Sequence, residues 1–173
     1  MTIFLIGFMG CGKTTVGKKL AKKLKYDFID LDEEIEKKEQ CTISQIFESR
    51  GEDYFRSLEH NLLLDLPNKS NVVISCGGGA PCYFNNMEMM NNAGYTVYVT
   101  MPAEALFSRL KQAKATRPLL QNMNDETLMK YIKDKLIERE ITYRLAKISV
   151  NGINLNVDDL AALIIQTNLK LVQ

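Results

Sequence analysis

Apolar runs and amphipathic stretches alternate along this chain, and the alternation predicts strands followed by helices. The run Thr2-Ile3-Phe4-Leu5-Ile6 has no polar interruption, the mark of a strand covered on both faces. After it, Val16, Leu20, Ala21 and Leu24 recur at helical spacing with Lys18, Lys19, Lys22, Lys23 and Lys25 mostly opposite, which predicts an amphipathic helix with a solvated basic face. Tyr26 to Asp32 reads as a short strand ending in two carboxylates, with a helix opening at Glu33. Thr42-Ile43-Ser44-Gln45 has the form of a capping box, and the helix it starts should stop at Gly51. A further helix is expected from Glu52, with Phe55, Leu58 and Leu62 on its buried stripe and Arg56 off it.

Asn71 to Ser75, Thr96 to Thr100 and Lys147 to Val150 are rich in β-branched residues and predict further strands. Helices are expected from Pro102 to about Leu110, from Asp125 over Leu128, Met129, Ile132, Leu136 and Ile137, and after an Asn156 cap over Leu160, Leu163 and Ile164. Between Lys111 and Asn122 the chain is polar and basic and contains Pro118. A loop of that length in a compact domain has the character of a mobile lid. With strands and helices alternating and no repeat or linker, the pattern predicts one three-layer α/β domain over residues 1–173, built on a mainly parallel sheet, with a lid at about 111–123.

Composition narrows the partners. The formal net charge is +1, so no overall field calls for nucleic acid or an anionic membrane, and neither is expected as a partner. Cysteines stand at 11, 41, 76 and 82 without a C-x-x-C pair and His60 is the single histidine, so thiols in a reducing compartment are expected rather than a zinc site. The first apolar run lacks a preceding basic segment and is broken by Gly7 and Gly10, which argues against a signal peptide or a membrane span and for a cytoplasmic location.

The candidate chemistry lies where strands end. Gly7-Phe8-Met9-Gly10-Cys11-Gly12-Lys13-Thr14 fits G-x-x-x-x-G-K-[ST] and sits between an apolar strand and an amphipathic helix, the context a phosphate-binding loop requires. Glycines let backbone N–H groups wrap a polyphosphate, Lys13 brings a charge to the β- and γ-phosphates, and the Thr14 hydroxyl is suited to Mg²⁺. Asp30 and Asp32 reach the edge of the sheet where ligands bind in open α/β folds; either is equally suited to capping the next helix. Gly77-Gly78-Gly79 follows a strand and offers bare backbone to a ligand. Arg56 taken alone reads as a surface ion pair with Glu59, and His60 receives no role.

Taken in order, Gly7 to Thr14, Asp30-x-Asp32, Phe55-Arg56, Gly77 to Gly79, Arg117-Pro118-Leu119-Leu120 and Glu138-Arg139 with Tyr143 resemble shikimate kinase, a nucleoside-monophosphate-kinase-like branch of the P-loop enzymes. The resemblance spans nearly the whole chain. It implies a P-loop NTPase fold with a five-stranded parallel sheet in the order 2-3-1-4-5, and transfer of the ATP γ-phosphoryl group to the 3-hydroxyl of shikimate, with Mg²⁺. It implies that Gly10, Cys11, Gly12, Lys13, Thr14 and Thr15 bind the nucleotide, and that Thr14 and Asp30 serve the metal. By the same resemblance Asp32, Arg56, Gly78, Gly79 and Arg139 bind the acceptor, Arg117 is the lid arginine at the transferring phosphate, and Lys13, Asp32 and Arg117 are catalytic. ATP and shikimate are then the partners of a chain expected to be monomeric. Ile141-Thr142 stands where members commonly have Pro-Leu, and Leu110 stands where a basic residue contacts adenine, leaving Arg109 as the substitute. A related small-molecule kinase acting on gluconate is the alternative enzyme. A non-catalytic nucleotide switch is the alternative of another class, and it would have no use for the lid arginine.

Overall fold

The computed structural model describes residues 1–66, 70–113, 120 and 123–171, with 168–171 described by backbone alone. The elements in order are β1 (Thr2–Ile6), α1 (Lys13–Leu24), β2 (Asp27–Asp30), α2 (Leu31–Glu39), α3 (Ile43–Asp65), β3 (Val72–Ser75), α4 (Asn86–Ala93), β4 (Tyr95–Thr100), α5 (Ala103–Gln112), α6 (Asp125–Tyr143), β5 (Ile148–Asn151) and α7 (Val157–Leu171). The strands form a five-stranded sheet ordered β2-β3-β1-β4-β5, and every pairing is parallel. This is the α/β P-loop architecture and strand order that the family resemblance implies.

The two faces of β1 account for the layers. Successive side chains of a strand point to opposite faces, and Phe4 and Ile6 join the core beneath α2, α3 and α4 while Ile3 and Leu5 join the core beneath α1 and α7. All four are fully buried, so β1 has no polar face to offer, in keeping with its uninterrupted apolar run. A third cluster, with Phe8, Leu106, Leu110, Leu120, Leu128 and Ile132, ties α5 and α6 to the loop after β1.

Local chemistry sets most boundaries. Thr42 Oγ1 accepts from the Gln45 amide and Gln45 Oε1 accepts from the Thr42 amide, which starts α3 with a reciprocal cap. Gly51 interrupts that helix at φ 80°, ψ 176°, so the expected boundary is realised as a kink within one long element. The Asn156 side chain accepts from the Asp158 amide at the start of α7.

Two expectations need correction, and one helix was not foreseen. The second strand ends at Asp30 and the helix begins at Leu31, because the Asp30 side chain accepts from the Asp32 amide and caps it; Asp32 therefore lies in the first helical turn. Helix α4 had no sequence signal, since Asn-Met-Glu-Met-Met-Asn-Asn-Ala lacks both a side-chain cap and a clear stripe. Ile137 is exposed, not part of the buried stripe of α6. The expected lid falls largely outside the described residues, and Arg117 lies outside them. Among the described residues no helix is long and apolar enough to cross a membrane.

Candidate active site

The parallel register lines up the carboxyl ends of the central strands. Asp30 stands opposite Ser75, and Ser75 opposite Leu5, so the loop beginning at Gly7 emerges beside both polar residues. Backbone constraint shapes this loop. Gly7 has φ 139°, and a Cβ there would lie 2.7 Å from the Val99 carbonyl oxygen. Gly12 has φ 100° at the start of α1, a left-handed conformation that glycine adopts without strain. The turn closes when the Cys11 amide donates to Phe8 O at 3.2 Å, and the Cys11 side chain is buried beneath it.

Lys13 is buried, and its Nζ donates to Gly7 O at 2.8 Å and Phe8 O at 3.0 Å, which holds the cation inside the loop's own curve. Thr14 Oγ1 donates to Asp30 Oδ2 at 2.8 Å and lies 3.4 Å from Ser75 Oγ. The other oxygen of Asp30 accepts from the Asp32 amide at 3.2 Å, so one carboxylate fixes both the loop hydroxyl and the start of α2. Asp30 thus takes the capping role that the sequence left open between the two acids, and it faces the loop as well.

A cavity of about 280 Å³ joins the loop to a second group of residues: Gly10, Gly12, Lys13, Thr14 and Thr15 line one side, and Asp30, Asp32, Ser75, Gly77 and Gly78 the other. Beyond it, the glycine run is pressed between charged side chains. A Cβ on Gly77 would strike Glu59 Oε1 and sit 3.1 Å from Asp32 Oδ1; on Gly78 it would lie 3.2 Å from the Met9 amide nitrogen and 3.5 Å from Arg139 Nη1. On Gly79 it would overlap the Arg56 guanidinium, with all three nearest atoms between 2.7 and 2.8 Å. Asp32, Arg56, Gly78, Gly79 and Arg139, which come from α2, α3, the loop after β3 and α6, are therefore gathered around one backbone segment.

Arg56 departs from the surface reading. It is 8% exposed, paired with Glu59 at 2.5 Å and Glu52 at 2.8 Å, with Tyr83 across its guanidinium at 4.3 Å. The partner foreseen for it is present, but the pair lies inside because this face of α3 packs against the glycine run. Burial works against the Arg56 charge, yet Glu59 and Glu52 outweigh it and hold the guanidinium above its ordinary pKa. Glu59 is 1% exposed; burial pushes its pKa up to about 7 against the pull of Arg56, and its Oε1 has no hydrogen-bond partner. Arg139 is also buried, its guanidinium 5.7 Å from the Phe8 ring.

Sequence reasoning missed one support of the glycine-run turn. Asn86 is fully buried, donates to Ala80 O at 2.7 Å and lies 2.6 Å from His60 Nδ1, so the histidine without an assigned role helps hold the turn after the glycine run. Arg109, named from the sequence as the substitute for a basic residue at Leu110, donates from Nη1 to Gly10 O at 3.2 Å while Leu110 is buried. A larger cleft of about 410 Å³ lies between the ends of β4 and β5 and α6, but its lining carries Glu140 and no cation, unlike the loop cavity.

The shikimate kinase family model matches residues 9–168. The chain belongs to the shikimate kinase family. It is 49% identical over 145 residues to the shikimate kinase of Phocaeicola vulgatus, covering 84% of this chain and 83% of that protein. The crystal structure of shikimate kinase from Bacteroides thetaiotaomicron superposes with a TM-score of 0.86 at 43% identity, covering 99% of this chain and 98% of that one. Shikimate kinase from Acinetobacter baumannii in complex with shikimate superposes with a TM-score of 0.85 at 38% identity, over 98% of this chain and 93% of that one. As a member of this family the chain is a P-loop kinase acting on a small molecule.

Proposed function

We propose that this protein transfers the γ-phosphoryl group of ATP to the 3-hydroxyl of shikimate, releasing ADP. The observation that carries this reading is the gathering of Arg56, Arg139 and Asp32 on a bare glycine run next to a phosphate-binding loop. Two buried arginines answer a planar carboxylate with paired hydrogen bonds, which lysines cannot match in geometry. A carboxylate such as Asp32, placed at the same cavity, suits an acceptor hydroxyl. Asp32 orients that hydroxyl and draws on its proton, while Lys13 and the loop amides of Gly10, Cys11, Gly12, Thr14 and Thr15 hold the phosphates.

The donor set near Thr14 fits Mg²⁺: the Thr14 hydroxyl, the Asp30 carboxylate and the Ser75 hydroxyl form a cluster of oxygens, and this ion prefers oxygen ligands while keeping several waters. When bound there it would neutralise phosphate charge during transfer. Arg117, with the lid about it, is assigned to the transferring phosphate on the family resemblance, and the lid's exclusion of water would protect ATP from hydrolysis. A single domain of residues 1–173, a monomeric state and a cytoplasmic setting complete the reading.

A coupled ADP-release assay with shikimate, gluconate and nucleoside monophosphates, with and without Mg²⁺, tests it. Shikimate should be the best acceptor and turnover should require the metal. Equal turnover with gluconate or a nucleoside monophosphate would overturn the assignment.

A further inference from the structure

Tyr143 closes α6 and is the largest fully buried side chain among the described residues. Its hydroxyl donates to the Gly78 carbonyl at 2.5 Å, a contact between residues 65 apart in sequence that links the end of α6 to the glycine run. Arg139 stands one helical turn earlier on the same face. Its Nη1 lies beside the same glycine, 3.5 Å from where a Cβ on Gly78 would stand, and its charge opposes the rise in pKa that burial imposes on the phenol. The hydroxyl therefore bonds the same glycine that the Arg139 guanidinium stands beside.

The geometry of the peptide unit carries the consequence. Because the peptide is planar and trans, fixing the Gly78 carbonyl fixes the plane it shares with Gly79 and turns the Gly79 N–H to the opposite side. Glycines lack the side chains that would otherwise restrict this plane; the Ala80 and Cys82 amides hold the Gly77 and Gly79 carbonyls on either side, and Tyr143 holds the Gly78 carbonyl between them. The Tyr143 ring is itself held against Tyr98, centroids 5.0 Å apart, and the Tyr98 hydroxyl donates to Glu140 Oε2 at 2.6 Å. Tyr98 thus supports the ring without touching the glycine run through its hydroxyl.

We propose that Tyr143 is a positioning residue for the acceptor: its hydroxyl holds the Gly78 peptide in register against the neighbouring Arg139 guanidinium, presenting the carboxylate-binding arginine and the glycine backbone as a preformed unit. This rests on the acceptor reading given above. The role needs the hydroxyl alone, whereas the ring serves the core, and the two contributions are separable by substitution.

The test compares Tyr143→Phe with Tyr98→Phe. Each removes one phenolic hydroxyl from the same aromatic pair and keeps the buried volume, a change that cores tolerate. Shikimate Kd by calorimetry, shikimate KM and ADP Kd are measured on both variants and on the wild type, with ADP affinity reporting that the donor half remains folded. Tyr143→Phe should weaken shikimate binding by roughly 10-fold, the effect of one hydrogen bond of about 1.4 kcal/mol, and leave ADP affinity within about twofold. Tyr98→Phe should leave both unchanged. Unaltered shikimate affinity in Tyr143→Phe overturns the proposal, as does equal weakening in the two variants, which would mark a general loosening of the core. No shikimate binding by the wild type would instead remove the acceptor reading, and this proposal with it.

Discussion

The donor and acceptor halves of the site are built by opposite means. The donor half is local: Gly7 to Thr14 run consecutively between β1 and α1, and their amides and Lys13 curve on themselves through contacts spanning a few residues. The acceptor half is assembled from distant segments, with Asp32, Arg56, the glycine run and Arg139 meeting only when α2, α3 and α6 pack around the end of β3. A local motif can be disturbed at one residue and keep its backbone path. An assembled one depends on who its neighbours are, so its weak points include groups that never touch a ligand.

The largest expected effect tests the bridge between the halves. Asp32→Asn keeps the side chain's shape and removes its charge. Since Asp30, not Asp32, caps α2, the substitution leaves the helix start intact. If Asp32 orients and draws on the acceptor hydroxyl, kcat should fall on the order of 10² to 10⁴, the usual contribution of a positioned acid–base group, while ADP affinity stays near normal. Steady-state kinetics with ADP titration decide it, and an unchanged kcat would remove Asp32 from the catalytic groups.

Gly79→Ala should come next. The added methyl must share space with the Arg56 guanidinium, which is already fixed by Glu52, Glu59 and Tyr83 and has little room to yield. Overpacking of this kind costs about 1–3 kcal/mol. If the displacement falls on Arg56, shikimate KM should rise by roughly 10- to 100-fold with ATP KM unchanged. A variant that loses ATP affinity equally would mean that the two halves are not separable as described.

The contrast between the halves also explains what could be read from the chain. The loop was legible because its meaning lies in contiguous residues and in the strand and helix either side. The strand order followed from the resemblance, and the β1 core followed from its unbroken apolar run. Arg56 was misread because a helical stripe sorts residues by polarity, and a charge that carries its counter-ion into the interior breaks that sorting. Glu59 is the same case, a buried acid whose partner makes burial tolerable. Helix α4 escaped because its asparagines and methionines give no cap and no sharp face, and its place is set by packing under α3 and by Asn86. Asp32 was set in a strand because nothing in Asp-Leu-Asp says which acid caps the helix; the hydrogen bond from the Asp32 amide to Asp30 settles that only in three dimensions.

The smallest effect expected is a pH dependence seated in Glu59. Its folded pKa, pushed by burial up to about 7, stands above the ordinary carboxylate value of 4.5, with Arg56 and Arg139 pulling it down and Asp32 pushing it up. Between those two pH values the folded state binds the proton more tightly than the unfolded chain. Glu59's contribution to stability is therefore full below pH about 4.5 and is lost as pH rises toward 7. Glu52, held below its ordinary range first by its bond from Arg56, stays charged through neutrality and adds no slope there. In function the sign is the same: once Glu59 ionises, it neutralises part of the Arg56 charge that the acceptor carboxylate would use. Shikimate KM should therefore rise by roughly two- to fivefold from pH 6 to pH 8, less than a full unit of differential interaction. Glu59→Gln, which cannot ionise, should flatten that rise and also remove the part of the Tm decline between pH 5 and 7 that Glu59 causes, at about 2–4 °C per kcal/mol for a chain of this size. Parallel KM and Tm profiles for wild type and Glu59→Gln would show that the acid does not titrate in this range, and that Arg56 is as neutralised at pH 6 as at pH 8.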